Sequence, residues 1–169
     1  MKRKGTKMKT LIVYASKYGC TETCVKQLAG QMTGDTDLLS LKEKKDGIDL
    51  QDYDAVIIGG SVYVGKIQKE VPEFCTRHLE TLLQKRIGLF ICGMQEEAVL
   101  QQELQQSFPE ELLSVAIAKD HFGGAFNLEK MNLMERVIVK KVSKVTTNVT
   151  SIAEDRIAAF AAAMVQAKN

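Results

Sequence analysis

The feature that most constrains this chain is an alternation running from end to end, in which short apolar runs of strand type take turns with stretches of helical periodicity. The strand candidates are TLIVYA (Thr10 to Ala15), DLLSL (Asp37 to Leu41), DAVIIGG (Asp54 to Gly60), RIGLFICG (Arg86 to Gly93) and LLSVAIA (Leu112 to Ala118). Three of these are almost continuously apolar, as strands covered on both faces should be. Helical spacing or Ala-rich composition marks Thr21 to Met32, Ile67 to Leu83 with Pro72 near its first turn, Glu96 to Phe108, Asn127 to Val145 and Ser151 to Gln166. Alternation of this kind predicts a parallel sheet with helices on both sides. The right-handed crossover rule then narrows five strands to a three-layer, doubly wound α/β fold of order 2-1-3-4-5.

At 169 residues and 45% hydrophobic content the chain suits one domain, expected over residues 8–169 after a disordered basic lead-in at 1–7. No apolar run is long enough to span a bilayer and the N-terminus lacks a secretory signal pattern, so the cytoplasm is the expected location. A net charge of +2 is too mild to argue for nucleic-acid binding. Cys20, Cys24, Cys75 and Cys92 form no C-x-x-C pair, and with only His78 and His121 no zinc spacing emerges. They read as reduced thiols without a metal. Cys20 and Cys24 are one helical turn apart, which leaves a redox pair open beside the plainer reading of two small residues at a helix start.

In a doubly wound sheet the ligand crevice lies beyond the carboxyl ends of strands one and three, which brings Ser16 to Thr21 and Gly59 to Gly65 together. The first of these loops, SKYGCT, runs from strand to helix and so presents unpaired N–H groups and the positive end of a helix dipole. An anion fits there. A P-loop would need G-x-x-x-x-G-K-[ST] and a dinucleotide fingerprint three glycines, so one phosphate monoester matches best. Ser16, Gly19 and Thr21 would also serve simply as turn and helix cap.

These residues carry a resemblance to the flavodoxin family, whose mononucleotide loop reads T/S-x-T-G-x-T and wraps the phosphate of FMN. Ser16, Gly19 and Thr21 match that pattern, while Tyr18 stands where a small polar residue is usual. The resemblance implies FMN as cofactor, with the phosphate held by Ser16, Lys17, Tyr18, Gly19, Cys20 and Thr21. It implies a second contact segment of Ser61, Val62, Tyr63, Val64 and Gly65, in which Tyr63 aligns with the aromatic that faces the isoalloxazine ring. Val64 occupies a place where the family usually has glycine. A third segment, Cys92, Gly93, Met94 and Gln95, would meet the ring edge mainly through backbone groups. The family's second aromatic is missing, leaving the outer face to Met94, to residues between Asp120 and Phe126, or to a partner.

The tail from His121 to Val145 resembles the flavodoxin-domain subfamily that includes the menaquinone-dependent protoporphyrinogen dehydrogenases. Glu135, Arg136, Lys140, Lys141 and Lys144 correspond to its amphipathic helix, although those enzymes have a longer insertion after strand four. The implied function is a redox protein, either an electron carrier for a partner protein or an oxidoreductase acting on porphyrinogen with a quinone acceptor. The basic face of helix 128–145 could touch anionic lipid peripherally or simply be solvated. No catalytic residue follows from the sequence; Asp120 and His121 are open to a proton-transfer role. The competing class is a cofactor-free domain of the same fold serving interaction or regulation.

Overall fold

The computed structural model describes residues 8–16, 20–43, 48–63, 65–126 and 149–166, with backbone alone at 125–126 and 149–151. In chain order these form β1 (Lys9–Ala15), α1 (Cys20–Gln31), β2 (Asp35–Ser40), a 3-10 turn (Leu50–Asp52), β3 (Ala55–Tyr63), β4 (Lys66–Ile67), α2 (Glu70–Arg77), α3 (Leu79–Leu82), β5 (Arg86–Cys92), α4 (Glu97–Ser107), α5 (Glu110–Val115), β6 (Ala118–His121), β7 (Gly123–Phe126), β8 (Val149–Ile152) and α6 (Glu154–Gln166). The main sheet is ordered β2-β1-β3-β5-β6 with every one of those pairings parallel, and β4 folds back antiparallel on β3. This is the expected doubly wound order.

Strand alternation sorts the core into two layers. Leu11, Val13, Val56, Ile58, Ile87, Leu89 and Ile91 face one way, against residues of α2, α3, α4 and α5. Ile12, Tyr14, Ile57, Phe90 and Cys92 face the other way, against Cys24, Val25 and Leu28 of α1 and Ile157, Phe160, Ala161 and Met164 of α6. Phe90 stacks on Phe122 at 4.8 Å between centroids, and Phe160 meets Phe122 edge-on at 5.2 Å. The Phe90 ring lies over its register partner Gly59, where a Cβ would fall 2.3 Å from the ring.

Three sequence expectations need correction. The predicted strand Leu112 to Ala118 is instead helix α5 over Glu110–Val115, and the fifth parallel strand is Ala118–His121. Pro109 ends the preceding extended segment and Glu110 and Glu111 occupy the first helical turn, where negative charge suits the dipole; Leu112 and Leu113 then bury. The helix expected over Ile67 to Leu83 is divided at His78, whose φ of −113° breaks the spiral, and Ile67 itself pairs in β4. The last helix begins at Glu154 rather than Ser151, because Val149–Ile152 pairs antiparallel with β7. The helix expected over Asn127 to Val145 and the lead-in at 1–7 lie outside the described residues.

Candidate functional site

The carboxyl ends of β1, β3 and β5 lie side by side, with Ala15 registered to Gly60 and Ser61 to Cys92. Strand β1 delivers Ser16 to this edge and α1 starts there, so Cys20 and Thr21 stand in its first turn. Lys17, Tyr18, Gly19 and Val64 lie outside the described residues. Thr21 is fully buried and its hydroxyl has no hydrogen-bond partner among the described residues. The Ser61 hydroxyl, at the end of β3, is likewise buried without a partner. A buried hydroxyl without a partner costs about 1–3 kcal/mol, and two of these stand near the switch point of the sheet; Thr10 and Thr36, at the opposite ends of β1 and β2, share the condition among the described residues.

Past β3 the chain folds back into β4. Val62 pairs with Ile67 and Tyr63 with Lys66, and Gly65 has a φ of 80°. Tyr63 is half-buried at this turn. Beneath it lies Glu103 of α4, buried, with Oε2 4.0 Å from where a Gly65 Cβ would be and Oε1 unpartnered. Burial pushes this carboxyl above its ordinary range. Sequence reasoning passed over Glu103, though a signal was present: Leu100, Glu103, Leu104 and Ser107 fall on one helical face, and all four are buried.

Beyond β5, Gly93 and Met94 are half-buried and Gln95 is exposed. The Gly93 amide donates to the Gly123 carbonyl at 2.7 Å, and β7 lies so close that a Cβ on Gly124 would be 2.9 Å from the Gly93 carbonyl carbon and 3.1 Å from the Met94 side chain. The β7 backbone thus closes over this loop. The Cys92 side chain is 2% exposed and packs in the core layer beneath α1. Only its backbone remains a candidate for the crevice.

The three thiols of Cys20, Cys24 and Cys92 come within mutual hydrogen-bonding reach, a grouping the sequence showed only as the pair on α1. Hydrogen bonds from Cys24 and then Cys92 hold the Cys20 thiol well below its ordinary range against the opposing effect of burial. Hydrogen bonding to Cys20 raises Cys24, as it does Cys92. All four cysteines are free thiols. No group of histidine, cysteine or carboxylate side chains among the described residues has the arrangement of a metal site.

Asp120 and His121 close β6. Arg156, near the start of α6, donates to Asp120 at 2.8 Å and to Glu97 of α4 at 2.7 Å. His121 is buried with both ring nitrogens lacking a hydrogen-bond partner among the described residues, and Nε2 is 4.0 Å from the Glu97 carboxylate. His78 lies between α2 and α3 with its ring 4.7 Å from that of Phe74, a packing role.

This architecture agrees with comparison against known proteins. A family model described as a flavodoxin domain matches residues 11–153, and the chain belongs to that family. Among solved structures, a short-chain flavodoxin associated with a non-canonical PDU bacterial microcompartment aligns over 94% of this chain and 97% of its own, at 14% identity and a TM-score of 0.59. Oxidised flavodoxin 1 from Bacillus cereus aligns over 95% of this chain and 99% of its own, at 13% identity and a TM-score of 0.54. A Lactobacillus acidophilus flavoprotein in complex with FMN covers 68% of this chain and 93% of its own, at 15% identity and a TM-score of 0.50. At these identities the likeness is one of fold. No curated protein sequence matches the chain.

Proposed function

We propose that this flavodoxin-family domain, residues 8–169, binds FMN at the carboxyl edge of its sheet and serves as a redox protein that passes electrons to or from a partner. The observation that carries the reading is the pair of hydroxyls without a partner among the described residues, Thr21 in the first turn of α1 and Ser61 near the end of β3, close to the switch point. Thr21 and the first-turn amides of α1 would hold the phosphate, Ser61 and the β3–β4 turn would position the ring near Tyr63, and the backbone at Gly93 and Met94 would meet its edge. The cofactor, when bound, supplies one- and two-electron chemistry at its ring. The chain's own share is to orient the ring, exclude water and set local charge. Burial pushes the Glu103 carboxyl up beneath the β3–β4 turn, which weakens its negative charge there, and Lys66 and Lys69 add positive charge nearby, which favours reduction of a bound ring.

The test is titration of the colourless or stripped protein with FMN, followed by flavin fluorescence. One equivalent should bind and quench. Thr21→Ala should weaken binding about tenfold, equivalent to about 1.4 kcal/mol, without lowering the melting temperature, since it removes an unsatisfied hydroxyl. Absence of binding by the wild-type protein would favour a cofactor-free interaction module instead.

Within this reading, porphyrinogen oxidation with a quinone acceptor rests on the sequence of the tail from His121 to Val145, most of which is outside the described residues. Peripheral membrane contact through the basic residues of 128–145 rests on the same segment, and a cytoplasmic location on sequence pattern. No helix among the described residues is long and apolar enough to cross a membrane. Quinone-dependent porphyrinogen turnover, set against one-electron exchange with a carrier protein, separates enzyme from carrier.

A further inference from the structure

We propose that Cys20, Cys24 and Cys92 form a thiol–disulfide exchange site in which Cys20 attacks a low-molecular-weight disulfide and Cys92 resolves the product. The site is independent of the cofactor reading and draws on no atom of the nucleotide.

Three features of the cluster support it. The sulfurs come from two elements, the first two turns of α1 and the last residue of β5, and pack in one cluster near the carboxyl edge of the sheet. Their burial is graded: Cys24 is 0% exposed and Cys92 2%, while Cys20 is only partly covered, so one thiol faces reagents with two in reserve behind it. Cys20 is also the first residue of α1, where the helix dipole favours a thiolate, and its two neighbours donate to that same sulfur. The fourth cysteine, Cys75, has none of these features. It lies on the opposite face of the sheet, 0% exposed, and burial alone drives its thiol up to about 12.

The choice of resolving thiol follows from disulfide geometry. Residues four apart on a helix have Cβ atoms about 5–6 Å apart, whereas a disulfide holds them at about 3.5–4.5 Å. A Cys20–Cys24 bond would unwind the first turn of α1. Cys92 approaches Cys20 from another element and is under no such restriction, which leaves Cys24 as a positioning residue that donates to the Cys20 sulfur.

The exchange balances without an outside oxidant other than the disulfide itself. The Cys20 thiolate attacks one sulfur of R–S–S–R; the new Cys20–S–S–R bond forms as RS⁻ leaves. Cys92, giving up its proton, then attacks the Cys20 sulfur and expels the second RS⁻. Two protein thiols are oxidised and one disulfide is reduced to two thiols.

The experiment uses the full-length protein, first reduced, then exposed to glutathione disulfide at neutral pH, quenched with acid, alkylated and mapped by mass spectrometry. A Cys20–Cys92 link with Cys75 still free is expected. In Cys92→Ala, glutathione should instead remain on Cys20, and Cys24→Ala should slow the first step while leaving the link intact. A measurement on the unaltered chain guards against variants that fail to fold: iodoacetamide should modify Cys20 at least about 100-fold faster than Cys75. Equal rates at these two residues, a Cys20–Cys24 link, or no protein disulfide at excess glutathione disulfide would each overturn the proposal.

Discussion

The two faces of the sheet bury neighbouring residues of the same strands, yet they differ in chemistry. The α2–α5 face is largely aliphatic, and its one cysteine, Cys75, is isolated by burial. The α1–α6 face carries three interlocked phenylalanines and, toward the carboxyl edge, three thiols that share hydrogen bonds. A cysteine is thus inert on one side and poised on the other, and both its cover and its neighbours make the difference. The aromatic block beneath Cys92 also gives that side a stiff floor, since flat rings tolerate little change in volume.

The largest expected effect comes from breaking that floor. Gly59 has no side chain because the Phe90 ring occupies the space, with three ring atoms 2.3–2.4 Å from where a Cβ would stand. Phe90 is itself held by Phe122 and Phe160, so it cannot swing aside. Gly59→Ala should cost about 3 kcal/mol in chemical denaturation. Adding Phe90→Leu should recover about 1 kcal/mol or more of this loss, because the two positions are coupled through one contact. An additive double mutant would mean that the ring is not what excludes the methyl group.

The cysteines sharpen the comparison at a smaller scale. Cys75→Ser places a hydroxyl among the buried aliphatic side chains of that face and should destabilise the fold by about 1–3 kcal/mol. Cys20→Ser sits at a half-buried helix start, next to two thiols, and should change stability by less than about 0.5 kcal/mol. Thermal unfolding of the two variants side by side checks the order.

Much of this architecture could be read from the amino-acid order. The continuous apolar runs of β1, β3 and β5 have no other use than a twice-covered strand, and the switch point followed from their connection. Leu112 to Ala118 misled because a short apolar run does not distinguish a buried strand from a helix edge; the acidic pair after Pro109 carried the deciding information. At the site, Thr21 and Ser61 were visible as loop hydroxyls in a known pattern. Cys92 was expected to act through its backbone, and its side chain's part in the thiol cluster was not legible because it depends on how β5 registers beneath α1, a contact between residues 68 or more positions apart. Glu103 was hidden among polar neighbours on α4 and becomes visible only through the helical spacing of what is buried around it.

At the sheet edge the two faces are tied together, and pH provides the smallest and most selective test of that tie. Glu97 comes from α4 on one face and Arg156 from α6 on the other; Arg156 bridges Glu97 to Asp120 on β6, with His121 buried alongside. Burial, and then the Arg156 charge, hold the His121 imidazole below its ordinary range, while Asp120 and Glu97 pull weakly the other way. His78 is lowered in the same direction by burial and Arg77. A histidine depressed in the folded state leaves stability intact above its unfolded pKa of about 6.5. As pH falls below that value the unfolded chain takes up a proton that the folded chain refuses, so stability declines until the folded value is reached. Denaturation profiles collected at decreasing pH should therefore show an acid loss that is shallower in His121→Gln than in the wild type. Glu97→Gln should make the loss larger, because it removes a charge that favours the imidazolium and frees Arg156 to oppose it. If Glu97→Gln instead reduced the loss, the carboxylate would be acting on His121 through position rather than charge, and the edge would be a mechanical clasp between the two layers.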